Sequence, residues 1–336
     1  MSLEYIVLDE LIGRFGLDPA SYAQAAERYP FCLTRYYAGL IQRPGDPIWR
    51  QCVPDLAELA DNEQLPDPLD EERLSPVPGL IHRYPDRAVL LVSNRCAVYC
   101  RFCMRKRQVG CGPASLDLDR AIDYIAATPA LRDIVLSGGD PLLLPLDLLN
   151  DLLRRLRSIP HLEIIRIGSR APVTAPSLIT PELCRMLASH QPLYINTHFN
   201  HPHELTAEAA RACAALSDAG IPLGNQTVLL QGINDDRDVL EQLFSGLLRL
   251  RVRPYYLHQM DLVRGTAHFR TPLQRGMQLV AGLRGQVSGM AIPHFVVDLP
   301  GGQGKVPLLI ETAHRTADGW LIRNLSGEQV VYRDPC

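Results

Sequence analysis

The feature that most constrains the fold is an alternation of short apolar runs with helix-like patterns, which begins near residue 87. The apolar runs are 88–93, 133–137, 163–169, 193–199, 222–230 and 254–260, and the helical patterns are 116–127, 146–159, a helix opening at Thr180-Pro181, 206–219, 236–250 and 273–287. Strands that alternate with helices form a parallel sheet. Six such units fit either an open doubly wound sheet or a partial barrel, and periodicity alone does not choose between them.

The flanking segments differ from this repeat. Helix-like patterns occur near 4–15, 19–28 and 47–62, and the segment LPDPLDEERLSPVPG (65–79) is rich in proline and charge, which predicts an extended arm. After residue 290 the pattern changes to short strands and turns. We therefore predict a helical N-terminal region over 1–75, a main domain over 76–290 and a C-terminal extension over 291–336.

Composition excludes some classes of protein. The net charge of −3 argues against a nucleic-acid-binding protein, which needs a strongly basic surface. No apolar run is long enough to span a membrane, and the acidic N-terminal segment does not resemble a secretory signal. We predict a cytoplasmic protein that binds neither nucleic acid nor membrane.

Three of the nine cysteines lie together in CAVYCRFC, at Cys96, Cys100 and Cys103. They follow the first strand of the repeat directly, and the carboxyl ends of parallel strands are where active sites form. A structural zinc site needs four ligands, so three thiolates suit a [4Fe–4S] cluster with one iron left open for another molecule. Cys111 is a possible fourth ligand, although we favour a bystander role for it.

Two glycine-containing segments lie at further strand ends. SGGDPL (137–142) ends the second strand, and its glycines allow backbone amides to approach a ligand closely. DLPGGQGKVPL (298–308) presents Lys305 from a glycine-rich loop beside an apolar run. Desolvation favours the neutral, nucleophilic amine of a lysine, so Lys305 is a candidate for Schiff-base chemistry.

Together these segments resemble the lysine 2,3-aminomutase family of radical S-adenosylmethionine (SAM) enzymes. The matching blocks are 76–91, the cysteine segment, 137–142, 165–173, 196–204, 223–235, 255–272 and 295–308. The resemblance implies a partial (β/α)6 TIM-type barrel with a helical N-terminal region and a short C-terminal extension. It also implies three cofactors: a [4Fe–4S] cluster, S-adenosyl-L-methionine and pyridoxal 5′-phosphate.

The resemblance implies a role for each matching residue. Cys96, Cys100 and Cys103 would hold the cluster, Lys305 would be the catalytic lysine that holds pyridoxal phosphate, and Arg105 would bind the substrate carboxylate. Asp261 and Asp298 would bind the distal ammonium of lysine, which needs compensating carboxylates when buried. The remaining positions would contact cofactors: Arg83 and Arg87 near pyridoxal phosphate, and Ser137, Gly138, Gly139 and Asp140 at SAM.

The activity implied is conversion of L-lysine to β-lysine, with a reductant such as flavodoxin or ferredoxin. Two alternatives remain open: the (R)-β-lysine-forming enzymes of elongation factor P modification, and a 2,3-aminomutase for another amino acid. A non-enzymatic iron–sulfur or zinc-binding module is a third. The sequence ends at YRDPC, without the cysteine-rich zinc-binding tail of longer family members, so intersubunit zinc is not expected, although we predict a homo-oligomer. His198, His201 and His203 fit a pocket lining better than a zinc site.

Overall fold

The described residues of the N-terminal region form four short α-helices. The computed structural model describes residues 3–60, 64–111, 116–310, 312–316, 319–324 and 327–332. The helices are α1 (Leu8–Gly13), α2 (Ala20–Arg28), α3 (Arg35–Ala38) and α4 (Pro47–Cys52). The helix expected over 47–62 stops at Cys52 because Pro54 disfavours helical geometry at Val53, which is extended with a ψ of 134°.

The main sheet has nine strands that are hydrogen-bonded in chain order, β1 to β9. They are β1 (Leu80–Tyr84), β2 (Arg87–Ser93), β3 (Asp133–Gly138), β4 (Ile164–Gly168), β5 (Leu193–Thr197), β6 (Leu223–Leu229), β7 (Val252–Gln259), β8 (His294–Leu299) and β9 (Gly304–Pro307). Strands β2 to β8 run parallel, while β1 and β9 are antiparallel edges. A doubly wound sheet reverses its strand order at a switch point. This unbroken order instead identifies a nearly closed partial barrel, as the resemblance implied.

A hydrogen bond joins the two edge strands of the barrel, β1 and β9. The Tyr84 hydroxyl on β1 accepts a hydrogen bond from the Lys305 amide on β9 at 2.8 Å. The arm (residues 64–75) packs beside this gap, where the Pro68 carbonyl accepts from the Gly301 amide at 2.8 Å and the Leu65 carbonyl accepts from the Arg264 amide at 3.0 Å. The charged arm is therefore fixed against the mouth of the barrel.

In the part of the chain that the structure describes, seven α-helices follow the strands. They are α5 (Leu118–Ala126), α6 (Leu146–Arg157), α7 (Ala171–Thr174), α8 (Pro181–Ala188), α9 (Ala207–Asp218), α10 (Arg237–Arg249) and α11 (Leu273–Leu283). The expected start of α8 is confirmed, since Thr180 Oγ1 accepts from the Leu183 amide at 3.2 Å. Leu148 was expected on the apolar face of α6 but is 61% exposed, because the buried stripe begins one residue later at Leu149.

Alternate strand residues face opposite sides of the barrel wall. On β4, Ile165 and Ile167 are fully buried in the hydrophobic core, whereas Arg166 between them is half-buried and donates to Asp133 on β3 at 2.9 Å. The period of two places the apolar side chains against the helices and the polar ones inside the barrel. The interior is thus a polar chamber.

The C-terminal segment contributes to two sheets. The strand–helix alternation ends before β8, but β8 and β9 still join the main sheet. Three further strands, β10 (Ala313–Thr316), β11 (Gly319–Arg323) and β12 (Gln329–Tyr332), form a separate antiparallel sheet. Across the described parts of the chain, no helix has both the length and the apolar character required to span a bilayer.

Candidate active site

The loop after β2 carries the three clustered cysteines and is anchored to the N-terminal region. The Tyr99 amide donates to the Cys32 carbonyl at 2.9 Å, and the Arg101 amide donates to the Gln51 carbonyl at 2.9 Å. Because each anchor lies beside a clustered cysteine, the N-terminal region determines the conformation of this loop.

The three thiols suit an iron–sulfur cluster. Burial raises the pKa of Cys96 well above its usual value and that of Cys103 to about 11, and each of these thiols also interacts electrostatically with Cys100. No three His, Cys, Asp or Glu side chains among the described residues converge on a single metal ion. In a [4Fe–4S] cluster each thiolate binds a different iron, so convergence on one ion is not required. Cys111 is exposed, and its Sγ contacts the Val109 carbonyl at 3.7 Å.

The glycines after β3 pack directly on the chain that enters the cysteine loop. A Cβ at Gly138, which has a φ of +112°, would lie 2.3 Å from the Ser93 carbonyl oxygen. A Cβ at Gly139 would lie 2.3 Å from the Arg95 carbonyl oxygen. Any side chain at either position would push the two segments apart, so both must be glycine.

Asp140 connects this segment to the end of β4. Its buried carboxylate accepts from the Ser169 hydroxyl at 2.7 Å, from the Arg170 amide at 2.9 Å and from the Leu142 amide at 3.0 Å. Burial raises its pKa, and these hydrogen bonds oppose that rise. Asp140 therefore joins the ends of two strands, and its cofactor contact stays a prediction.

Two cations of the cysteine loop share one fully buried carboxylate, Glu58. Arg101 donates to it through Nε at 2.9 Å and Nη2 at 2.7 Å, and Lys106 donates at 2.5 Å. Burial lowers the pKa of Lys106 to about 8, although Glu58 opposes that shift. Glu58 thus compensates both charges and ties the loop to the N-terminal region.

Arg105 lies in a cleft of about 420 Å³ together with Gly138 and Gly139. Its Nε and Nη2 donate to Glu71 of the arm at 3.1 and 2.7 Å, and its Nη1 donates to the Ser137 hydroxyl at 3.1 Å. Glu71 occupies one side of the guanidinium and leaves protons on Nη1 and Nη2 for a second carboxylate. Burial alone would lower the pKa of Arg105, but the negative charges of Glu71, Cys103 and Asp261 raise it above its usual value.

Lys305 lies on β9 opposite Asp298 on β8. Its Nζ donates to Asp298 Oδ2, contacts His258 Nδ1 at 3.2 Å and lies 5.3 Å from the centre of the Tyr256 ring. The chain has only two lysines, Lys305 and the buried Lys106, among its 34 basic residues. The amine therefore lies in a half-buried pocket with a carboxylate, an imidazole and an aromatic ring.

The two candidate ammonium-binding carboxylates have opposite shifts. Burial raises the pKa of Asp261 to about 7, and the nearby negative charges of Asp298 and Glu71 add to the rise. Burial alone would also raise the pKa of Asp298, but hydrogen bonds and charge from His258 and Lys305 outweigh it and lower that pKa. Asp298 is already paired with a cation, whereas Asp261 lacks enough positive charge around it to favour ionisation.

An unsatisfied donor beside Lys305 fits an anionic cofactor. Arg83 Nη1 is 3.4 Å from Asp298 Oδ1, while Arg83 Nε and His258 Nε2 are buried without a hydrogen-bond partner. Arg87 pairs with Asp86 at 2.8 Å and stacks on the Tyr84 ring, away from direct contact with Lys305. A phosphate would satisfy the Arg83 Nε donor, so Arg83 suits pyridoxal phosphate.

Of the three histidines after β5, His198 packs against Phe102, whereas the rings of His201 and His203 contact each other with their centres 4.4 Å apart. His198 is a buried imidazole that hydrogen-bonds Asn200 at 3.1 Å, and burial keeps its pKa well below the usual value. His201 accepts from the His203 amide at 3.2 Å and caps a short turn. These contacts are local and structural.

From the sequence we predicted no role for several residues that hold this site together: Glu58, Glu71, Arg170, Glu204 and His258. Arg170, Glu204 and His258 lie within segments that match the family, and Glu71 lies shortly before one. The sequence of such a segment does not show which residue a charged side chain contacts. Glu58 lies outside every matched segment. Only the folded chain shows that these residues contact the candidate site.

Comparisons with known proteins agree with this geometry. The Radical SAM superfamily model matches residues 90–243, and the Lysine-2,3-aminomutase model matches residues 280–336. An L-lysine 2,3-aminomutase from Fusobacterium nucleatum is 49% identical over 92% of this chain and 74% of its own length. One from Clostridium subterminale is 48% identical over 93% and 77%, and a glutamate 2,3-aminomutase from Clostridioides difficile is 41% identical over 93% and 75%.

Solved structures are more distant. A radical SAM methyltransferase from Sphaerobacter thermophilus has a TM-score of 0.46 and 18% identity over 67% of this chain and 72% of its own. The family assignment therefore rests on the sequence relatives and the family models. With nearly half of the residues identical across more than nine-tenths of its length, this chain belongs to the lysine 2,3-aminomutase family of the radical SAM superfamily.

Proposed function

We propose that this protein catalyses the 2,3-migration of the α-amino group of L-lysine, which yields β-lysine. The observation that carries the proposal is the placement of two buried carboxylates, Asp298 and Asp261, in the electrostatic surroundings of Lys305. Membership of the radical SAM superfamily implies a [4Fe–4S] cluster and SAM. Pyridoxal phosphate, a reductant such as flavodoxin or ferredoxin, and a cytoplasmic homo-oligomer belong to the proposal.

Each end of the substrate has a complementary group. Arg105 offers its remaining N–H donors to the α-carboxylate, and Asp261 and Asp298 accept the distal ammonium. Lys305 now forms an ion pair with Asp298, so its amine holds the position of a cation that the substrate ammonium would replace. Gripping both ends fixes the carbon atoms between them, which is the main contribution that positioning makes to catalysis.

When bound, the cluster and SAM supply a carbon-centred radical, and pyridoxal phosphate supplies the carbonyl group that carries the migrating nitrogen. Cys96, Cys100 and Cys103 would hold the cluster, Gly138 and Gly139 would bring backbone amides to SAM, and Lys305 would hold pyridoxal phosphate. The half-buried chamber limits access of water to the reacting atoms.

A glutamate substrate is the second candidate, because one relative is a glutamate 2,3-aminomutase. Two carboxylates at the distal end would repel its side chain, and we therefore favour L-lysine. The proposed organisation is a helical region over 1–75, a main domain over 76–290 and an extension over 291–336, whose strands β8 and β9 complete the barrel sheet and carry Lys305.

The test measures the product formed from isotopically labelled L-lysine under anaerobic conditions with iron, sulfide, SAM, pyridoxal phosphate and a reductant. We expect β-lysine from the wild-type protein and none from Lys305→Ala at unchanged iron content. Gln303→Ala, in the same loop, is the matched control and should retain activity. Turnover by Lys305→Ala would refute the assignment.

A second readout does not depend on turnover. Borohydride makes the link between pyridoxal phosphate and a lysine permanent, and only two lysines are available in this chain. Peptide mapping should find the label on Lys305. A label on Lys106 would contradict the proposed role.

A further inference from the structure

Arg170 reaches from the end of β4 to one of the clustered cysteines. Its side chain is 9% exposed, and its Nη1 donates to Cys100 Sγ at 2.7 Å. In the hydrogen bonds of the described residues, Cys100 is the only clustered cysteine whose sulfur accepts from an arginine side chain. The three thiols are therefore not equivalent.

The other donors of Arg170 are held by fixed acceptors. Nε donates to the His198 carbonyl at 3.2 Å. Nη2 has acceptors at Glu204 Oε1 at 2.7 Å, Gln51 Oε1 at 2.6 Å and the Tyr37 hydroxyl at 3.0 Å. With its remaining donors engaged on buried groups, the guanidinium has little freedom to turn away from the sulfur.

Glu204, which carries the opposite charge, is itself immobilised. It is fully buried and accepts from the backbone amides of Asn200 at 2.5 Å and His201 at 2.8 Å, and from the Tyr37 hydroxyl at 2.6 Å. These hydrogen bonds satisfy the carboxylate without Arg170. Glu204 therefore orients Arg170 toward Cys100, and the ion pair does more than neutralise Glu204.

We propose that Arg170 is a positioning residue that raises the reduction potential of the cluster by hydrogen-bonding the Cys100 thiolate. This inference rests on the proposed function, in which Cys100 ligates iron. The step is the transfer of one electron from an external one-electron reductant to the cluster, with no bond made or broken. A sulfur bound to iron still accepts N–H donors, and such hydrogen bonds help to set cluster potentials.

The direction follows from charge. The reduced cluster carries one more negative charge than the oxidised cluster, and part of that charge resides on the thiolate sulfurs. A positively charged donor held against one sulfur therefore stabilises the reduced form more than the oxidised form. Loss of the donor should make reduction harder.

The test is a potentiometric titration, followed by electron paramagnetic resonance, of anaerobically reconstituted Arg170→Gln. We expect at least a tenfold fall in the reduction equilibrium constant, which for one electron is about 59 mV. Arg101→Gln is the matched control, because Arg101 is a buried arginine next to Cys100 in the chain but donates to Glu58. An unchanged potential in Arg170→Gln at wild-type iron content, or an equal fall in Arg101→Gln, would overturn the proposal.

A measurement on the wild-type protein covers the case in which Arg170→Gln does not fold or retain iron. Isotopic nitrogen labelling of arginine, followed by pulsed electron paramagnetic resonance of the reduced cluster, should show a coupled side-chain nitrogen. Absence of that coupling would contradict the inference. Failure of wild-type protein to hold a cluster would refute the proposed function instead, so the two failures are distinguishable.

Discussion

The cysteine loop and the lysine pocket are built in opposite ways. Around the loop, buried charges are matched by fixed partners, as in the sharing of Glu58 by Arg101 and Lys106. Around Lys305, Asp261 has a raised pKa, and nitrogen atoms of Arg83 and His258 are buried without hydrogen-bond partners. Saturated contacts suit a cofactor that stays in place, whereas unsatisfied groups suit ligands that come and go.

We expect the largest effect from removing the carboxylate of Glu58, which Arg101 and Lys106 of the cysteine loop share. Glu58→Gln leaves the buried Arg101 and Lys106 without a counter-charge, and we expect a loss of about 3–5 kcal/mol in the free energy of unfolding. Chemical denaturation of the apo protein measures it. Glu10→Gln, which breaks the exposed pair with Arg35, is the control and should change little. Equal effects of the two substitutions would show that the loop does not depend on this network.

The pH dependence of substrate binding tests the lysine pocket. Because the pKa of Asp261 is about 7, its charge is lost as the pH falls below that value. We expect kcat/KM for L-lysine to decrease about tenfold per pH unit below about 7, and we expect Asp261→Asn to have a lower and flatter profile over that range. An acidic limb that is unchanged in Asp261→Asn would assign the titration to another group.

Asp261 should also affect the free energy of unfolding, with a pH dependence opposite to that of most carboxylates. The folded-state pKa of Asp261 lies above its usual 3.8, so the folded protein binds the proton more tightly than the unfolded chain. The contribution of Asp261 to stability is therefore greatest below about pH 4 and is lost as the pH rises through 7. Asp261→Asn apo protein should be more stable than wild type near pH 8, and this gain should shrink in acid.

The smallest expected effect concerns the gap between the barrel edges. Tyr84→Phe removes the hydrogen bond to the Lys305 amide, and we expect a loss of about 1 kcal/mol in the free energy of unfolding. Retention of pyridoxal phosphate should weaken in parallel. Tyr194→Phe, at an exposed position, is the control. No change in either measurement would show that the edges are held together by other contacts.

Much of the barrel could be read from the sequence, because strand and helix periodicities are local properties of the chain. The strand–helix units fell where the apolar runs predicted them, and Thr180 capped α8 as expected. Leu148 was wrongly predicted to be buried, because the apolar stripe of a helix is wide and a residue at its edge can be exposed. The first strand, β1, was not foreseen, since HRYPDR reads equally well as a charged loop.

The sequence by itself determined the chemistry that is available: three cysteines at a strand end, a glycine-presented lysine and two acids in matching segments. Only the tertiary structure decided which charges meet, because ion pairs such as Arg105–Glu71 and Arg170–Glu204 join residues 34 positions apart. Electrostatic pairing depends on distance in space and on burial, and neither is encoded in local sequence patterns. The fold therefore decided which of these groups are satisfied and which remain available for ligands.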